Sequence, residues 1–400
     1  MPKPPTAEES ELVSGKQSQA IEFMHQKDID MWITFVREGT DSVLTSMISG
    51  SEHVVQNAAL IFTSAGDQIA ILEPIDVQNG VGTLFNEVIG FKNDIAEPLR
   101  QVWKRFDPGK VAINYSINEF TADGLSYGMY LRLMEALGPL GLKEKMISSQ
   151  DIVIQIRAVK NRVEIERMKK ALEYIDAIGN DITREIKAGV TNEQLMDFVA
   201  GRAGYYGCSS ASASIAFNPI NEAFKGIRER PVQPGDLICS DMGVTYKGYC
   251  SDVKRDWYVL KPGETEIPEP LRKQWEACRA TLEVSRTACV QGAWGYDVHE
   301  IAWAEMERHG FVRDIHSYGH QVGRRAHDTG VWLGEKANPF RPATSQLEKN
   351  MVVTLDPTIN RVTINNKGYF SMGMEEECII TGGEGKYLWP PQDDIFLVRI

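Results

Sequence analysis

The sequence predicts a mixed α/β (α+β) protein of two domains, a small α/β domain over residues 1–157 and a larger domain over 158–400. Three observations predict it. The chain has 400 residues, 42% of them hydrophobic, enough for two cores. Helical and strand patterns alternate from Gln17 to about Met146. The second half is rich in strand-like runs, and its amphipathic helical segments are best packed outside a curved sheet.

In chain order, MPKPPTAEESELVSGK reads as a loose polar arm without the apolar stretch of a signal peptide or anchor. SQAIEFMHQKDID, DMWITFV, AALIFTSAGDQIAIL, LRQVWKRF, KVAINYS and YLRLMEALG then supply the alternating elements of the first domain. No G-x-G-x-x-G follows a strand, so dinucleotide binding has no support. DIVIQIRAVKN links into a charged helix after Asn161, with further helices near 192–204, 269–289 and 297–309. LICSDMG and YCSDVKRDWYV are β-prone, with Gly248 in the hairpin turn between them. NMVVTLDP reads as a buried strand whose last acid is held extended by Pro357. GMEEECIIT starts another strand, where Glu375, Glu376 and Glu377 alternate faces and only one or two can point inward.

The net charge of −12 argues against nucleic acid or an anionic membrane as the main partner. The cysteines at 208, 239, 250, 278, 289 and 378 show no C-x-x-C spacing. They are expected as buried free thiols in a reducing cytoplasm, with zinc near Cys239 and Cys250 a second reading.

A series of acids and histidines carries the chemistry. A turn at Tyr246-Lys247 would set Asp241 opposite Asp252, roughly 5 Å apart on one face. Two like charges that close need a cation between them; otherwise the pair is a solvated face or is neutralised by Lys254 and Arg255. His316, His320 and His327 cluster in SYGHQVGRRAHDTG among glycines that let backbone approach a ligand. Asp356 and Glu375 complete a carboxylate and imidazole set suited to divalent metals. Four carboxylates and a neutral His match two divalent cations, roughly 3.5–4 Å apart in such centres.

Asp-x-Gly, the second Asp, His-x3-His-x2-Gly-x3-His, acid-Pro and a final acid together resemble the pita-bread metallopeptidases: aminopeptidase P, prolidase and creatinase-like proteins. The resemblance runs from AVKNRVEIERMKKALEYID through VQPGDLICSDMG, YKGYCSDVKRD and GHQVG. It implies a creatinase-type N-terminal domain and a pita-bread catalytic domain. It also implies two metal ions (Mn, Co or Zn) held by Asp241, Asp252, His320, Asp356 and Glu375. His327 and His316 would line the substrate site, and Asp356 would shuttle a proton. The implied reaction is hydrolysis of the Xaa-Pro bond in dipeptides or short peptides by a metal-bridging hydroxide, in a cytoplasmic homodimer or homotetramer.

Three departures bear on specificity. Asp356 stands where the family usually has Glu, Phe224 where it commonly has His, and Gly373 where it often has Arg. Arg324 and Arg325 are candidate anchors for a peptide carboxylate, or solvated charges. Trp257 and Trp332 are candidate stacking partners for a proline ring or a quaternary ammonium, or core aromatics. Two other functions stay open: a creatinase-like C–N hydrolase or related enzyme acting on a small non-peptide substrate, and a catalytically silent binding module.

Overall fold

The computed structural model describes residues 4–219, 230–313, 317–337, 345–359 and 372–400. They form two compact units, residues 1–157 with 161–163, and 158–160 with 164–400.

In the first unit, six strands form one sheet in the order β4-β3-β2-β1-β5-β6. They are β1 (Met31–Val36), β2 (Ala58–Thr63), β3 (Gln68–Leu72), β4 (Glu87–Gly90), β5 (Val111–Ile113) and β6 (Met146–Ser148). β1 pairs antiparallel with β2 and parallel with β5. Its run MWITFV is buried at every position because both faces are covered. Trp32 and Val36 join one core with helix Ala7–Gln26, and Met31, Ile33 and Phe35 join the other with Leu99, Trp103 and Leu133.

The expected polar arm at residues 1–16 is corrected here: helix Ala7–Gln26 begins inside it. Thr6 and Glu9 form a reciprocal capping box that satisfies the helix's first free N–H groups. Leu12, Val13, Lys16, Ala20 and Met24 are buried at helical spacing. The Lys16 ammonium donates to the Ile156 carbonyl at 2.6 Å, so a residue read as polar arm is an interior hydrogen-bond donor. The linking segment DIVIQIRAVKN is likewise mostly helix, Gln150–Ala158.

The second unit is built on β7 (Ser210–Pro219), β8 (Asp236–Tyr246), β9 (Tyr249–Cys250) and β10 (Val253–Val259), with helices Arg162–Glu185, Asn192–Tyr205, Glu269–Ala288 and Gly295–Arg308. Short strands follow: β11 (Gly319–His320), β12 (Trp332–Leu333), β13 (Val352–Leu355), β14 (Thr358–Ile359), β15 (Met372–Gly373), β16 (Glu376–Ile379), β17 (Lys386–Tyr387) and β18 (Phe396–Val398). The main sheet runs β18-β10-β8-β7, with β9 on β8 and β18 parallel to β10. Single bridges at Lys254–Glu375 and Gln321–Val353 join it and β11 to the strands that follow. Trp275 and Trp303 from the outer helices fill the core with Tyr258 and Tyr318. No described helix is long and apolar enough to cross a membrane.

The hairpin register differs from the one expected. The turn is Lys247-Gly248, both at positive φ (45° and 79°), with Tyr246 paired to Tyr249. That two-residue turn matches the strand twist, and it sets Asp241 opposite Lys254 rather than Asp252. A shift of two positions keeps each side chain on its face, so the acids still share a side of the sheet.

Asp256, farther along β10, is wholly buried. Burial raises its carboxyl from 3.8 to about 7, against the lowering effect of the Cys239 thiol, the Gly373 N–H and the charges of Lys254 and Arg255. The folded-state value lies above the unfolded one. The folded chain therefore holds an extra proton between about pH 4 and 7, and stability falls as pH rises through that window. Asp256→Asn should remove up to roughly 4 kcal/mol of this loss. Urea unfolding at pH 5 and pH 8 checks it; equal losses in parent and variant would show that Asp256 does not titrate there.

Candidate metal centre

The backbone brings four segments together over β8 and β10. The Cys250 N–H donates to the Gly323 carbonyl at 2.8 Å, tying the hairpin to the loop after β11. The Lys254 N–H donates to the Glu375 carbonyl at 3.2 Å, and the Asp356 N–H to the Tyr318 carbonyl at 3.0 Å. The Asp252 N–H donates to Glu377 Oε1 at 3.0 Å. Close packing of backbone is what the first glycine of GHQVG, Gly319, provides. A Cβ on Gly319 would lie 2.0 Å from the Thr354 carbonyl oxygen, and φ there is +152°. Gly319→Ala should cost about 2–4 kcal/mol through that overlap with backbone. A melting temperature unchanged from the parent would refute the constraint.

The ligand atoms of Asp252, His320 and Glu375 all lie within 4.8 Å of one another. His320 Nε2 is 3.8 Å from Asp252 Oδ2 and 3.5 Å from Glu375 Oε1. All three residues are buried. Zinc-type ligand bonds are about 2.0–2.2 Å long, so a cation between these atoms fits with small adjustments. Two carboxylates and an imidazole suit divalent first-row metals. Among the described residues no other group of three His, Cys, Asp or Glu side chains comes this close. The six cysteines are free thiols and none joins such a group.

The charges are unevenly distributed. Burial, with Glu375 and Asp241 nearby, pushes the Asp252 carboxyl well above the usual range. Burial would also raise Glu375, but Lys254 and His320 hold its carboxyl well below that range. Burial raises Asp241, partly offset by Lys254.

Lys254, expected from the sequence only as a neutraliser of the Asp pair, sits among three of the acids. Its ammonium lies 2.7 Å from Glu375 Oε2, 2.8 Å from Asp356 Oδ2 and 3.5 Å from Asp241 Oδ2. Burial alone would lower its pKa, but Asp356, Glu375 and Asp241 raise it well above the ordinary lysine value. The signal was present in the sequence: Lys254 is two positions from Asp252 on a strand, hence on the same face. Asp356 Oδ1 also accepts from Thr358 Oγ1 at 2.9 Å. Asp241 keeps a side chain 52% exposed.

All three members of the acid triplet are buried, not one or two. Glu375 faces Lys254 and His320, and Glu377 accepts from the Asp252 backbone. Glu376 points the other way, where Arg255 Nη1 meets its Oε1 at 2.9 Å and the Gln392 N–H donates to it at 3.0 Å. The reverse side of the strand is therefore also interior.

The exposed His327 has its ring 4.2 Å from the ring of His320, and the Trp332 indole stacks on that same imidazole at 5.8 Å. Trp257 is core: it is fully buried, packs tilted against the Phe396 ring and donates to Thr183 Oγ1 at 2.8 Å. The Arg324 guanidinium lies 5.2 Å over the Tyr249 ring, while Arg325 is exposed. His316 and Phe224 lie outside the described residues.

Comparison with known proteins adds to this geometry. The sequence profile of metallopeptidase family M24 matches residues 166–382. A putative Xaa-Pro aminopeptidase of Mycoplasma genitalium is 28% identical over 215 residues, 51% of this chain and 56% of that protein. The Xaa-Pro dipeptidase of Pyrococcus furiosus is 27% identical over 225 residues, 52% of this chain and 58% of that protein. The chain thus spans a little over half the length of these two relatives. Among solved structures, an X-Pro aminopeptidase from Thermotoga maritima superposes with a TM-score of 0.74 at 20% identity, covering 94% of this chain and 99% of that one. An Xaa-Pro dipeptidase from Bacillus anthracis gives 0.75 at 19% identity, covering 96% and 100%. At such identity these structures establish the fold, which is the expected pita-bread architecture.

Proposed function

The chain belongs to metallopeptidase family M24, and from that premise we propose that it is a metal-dependent hydrolase of the Xaa-Pro bond in dipeptides or short peptides. The observation that carries this reading is the convergence of Asp252, His320 and Glu375 within 4.8 Å.

Asp252, His320 and Glu375 would hold the cation. Bound there, a divalent cation would supply Lewis acidity and bring the pKa of water towards neutrality. The protein's own groups do the rest. His327, beside His320 and exposed, donates a hydrogen bond to the scissile carbonyl oxygen as charge develops on it. Asp356 accepts a proton from the attacking water and returns it to the leaving amine. Trp332 offers an apolar wall for a pyrrolidine ring, and Arg325 a counter-charge for a free peptide carboxylate. Short peptides are therefore the substrate class, and a homodimer or homotetramer in the cytoplasm is the working assembly we propose.

A panel of Xaa-Pro and Xaa-Ala dipeptides, assayed with and without Mn²⁺, Co²⁺ or Zn²⁺, tests the assignment. Faster metal-stimulated cleavage of Xaa-Pro is the expected result; equal cleavage of both series would remove proline from the specificity. One observation favours a second reading. Lys254 already supplies three of the acids with a cation, as a metal-free C–N hydrolase acting on a small non-peptide substrate would require.

A further inference from the structure

We propose that the Lys254 ammonium takes the place of the second metal, so that the centre binds one divalent ion, at Asp252, His320 and Glu375. This rests on the metal reading given above and narrows it.

Three independent features meet at one point. First, the ammonium lies within 3.5 Å of oxygens from Asp241, Asp356 and Glu375, which are three of the five ligands expected for a two-metal shell. An ion there would have to displace the ammonium from those same oxygens, or share them against like-charge repulsion. Second, residue 356 is Asp. A carboxylate retracted by one methylene leaves room for an ammonium, and the Lys254 Nζ to Asp356 Oδ2 distance is 2.8 Å. Third, residue 373 is Gly. A Cβ at that position would lie 2.6 Å from Thr358 Oγ1 and 3.3 Å from Lys254 Cδ. A long side chain at 373 would therefore compete with the aliphatic stem of Lys254, which reaches the acids over that glycine. Two departures that looked unrelated along the sequence, Asp356 and Gly373, both make space for one lysine.

The remaining position is complete without Lys254's other partners. Asp252 and His320 make no ion pair with the ammonium among the described residues, and Glu375 splits its two oxygens. Oε2 faces Lys254 at 2.7 Å and Oε1 faces His320 at 3.5 Å. Glu375 would thus hold the lysine with one oxygen and leave the other for a divalent ion.

The test is metal stoichiometry by elemental analysis and calorimetric titration with Mn²⁺, on the full chain and on Lys254→Met and Lys254→Ala. The parent should bind one equivalent, and at least one variant two. Two equivalents in the parent would overturn the proposal and leave the metal reading intact. One equivalent in the parent and in both variants would also overturn it, because the lysine would not be what excludes the second ion. No metal in any of the three would sink the underlying metal reading as well. Anomalous diffraction from Mn²⁺-soaked crystals of the parent keeps the proposal testable if the variants fail to fold. One peak between Asp252, His320 and Glu375 supports it; two peaks, with Lys254 turned away, refute it.

Discussion

His320→Ala is expected to abolish turnover while leaving the fold intact. His320 Nε2 supplies the only nitrogen of the three-residue group, 3.5 Å from Glu375 Oε1 and 3.8 Å from Asp252 Oδ2. Without it, two carboxylates face each other in a buried site, and neither geometry nor charge suits a tightly held divalent ion. Loss of the several kcal/mol that a Lewis acid contributes corresponds to a fall in kcat/KM of about 10³-fold or more. The structural cost is smaller, about 1–3 kcal/mol for the lost stacking on Trp332 and the space left behind. Steady-state kinetics, metal analysis and thermal unfolding separate the two effects. A variant with parental activity would show that His320 is not a ligand.

Arg255→Ala should give the largest loss of stability. Arg255 and Glu376 are 2% and 1% exposed and meet at 2.9 Å on the side of β10 away from Lys254. Burial already pushes Glu376 up to about 7, even with Arg255 favouring its charged form. Removing the guanidinium leaves a buried carboxylate that must take up a proton or stay charged without its partner, a change worth about 3–5 kcal/mol. Glu376→Gln should cost less, because an amide keeps the hydrogen bond from the Gln392 N–H. Urea unfolding of both variants decides it. A loss under about 1 kcal/mol for Arg255→Ala would mean that the pair is solvated or replaceable.

Much of this was legible along the chain, and for identifiable reasons. Met31–Val36 announces itself as a short, continuous run of β-branched and aromatic residues, and the long amphipathic helices by their period. The order of Asp241, Asp252, His320, Asp356 and Glu375 carries the resemblance to the family, because carboxylates and an imidazole are donor types suited to divalent metals. Register was harder to read. Tyr246-Lys247 and Lys247-Gly248 are both plausible turns, and only the positive φ available at Gly248 favours the second. The acid triplet was misjudged because alternation says which residues share a face, not whether the second face is covered. Arg255 and Gln392 cover it. The N-terminal arm was misread because polar composition hid a capping box at Thr6 and an apolar stripe from Leu12 to Met24. Sequence proximity relates the lysine to the Asp pair alone; that its ammonium reaches Asp356 and Glu375 depends on long-range packing.

The central claim, that a cation held at Asp252, His320 and Glu375 makes this chain a peptidase, is tested most directly by stripping the protein with a chelator and reloading it stepwise. Cleavage of an Xaa-Pro dipeptide should vanish in the stripped protein and rise in proportion to bound metal until the site is full. Turnover by the stripped protein at the reloaded rate would contradict it.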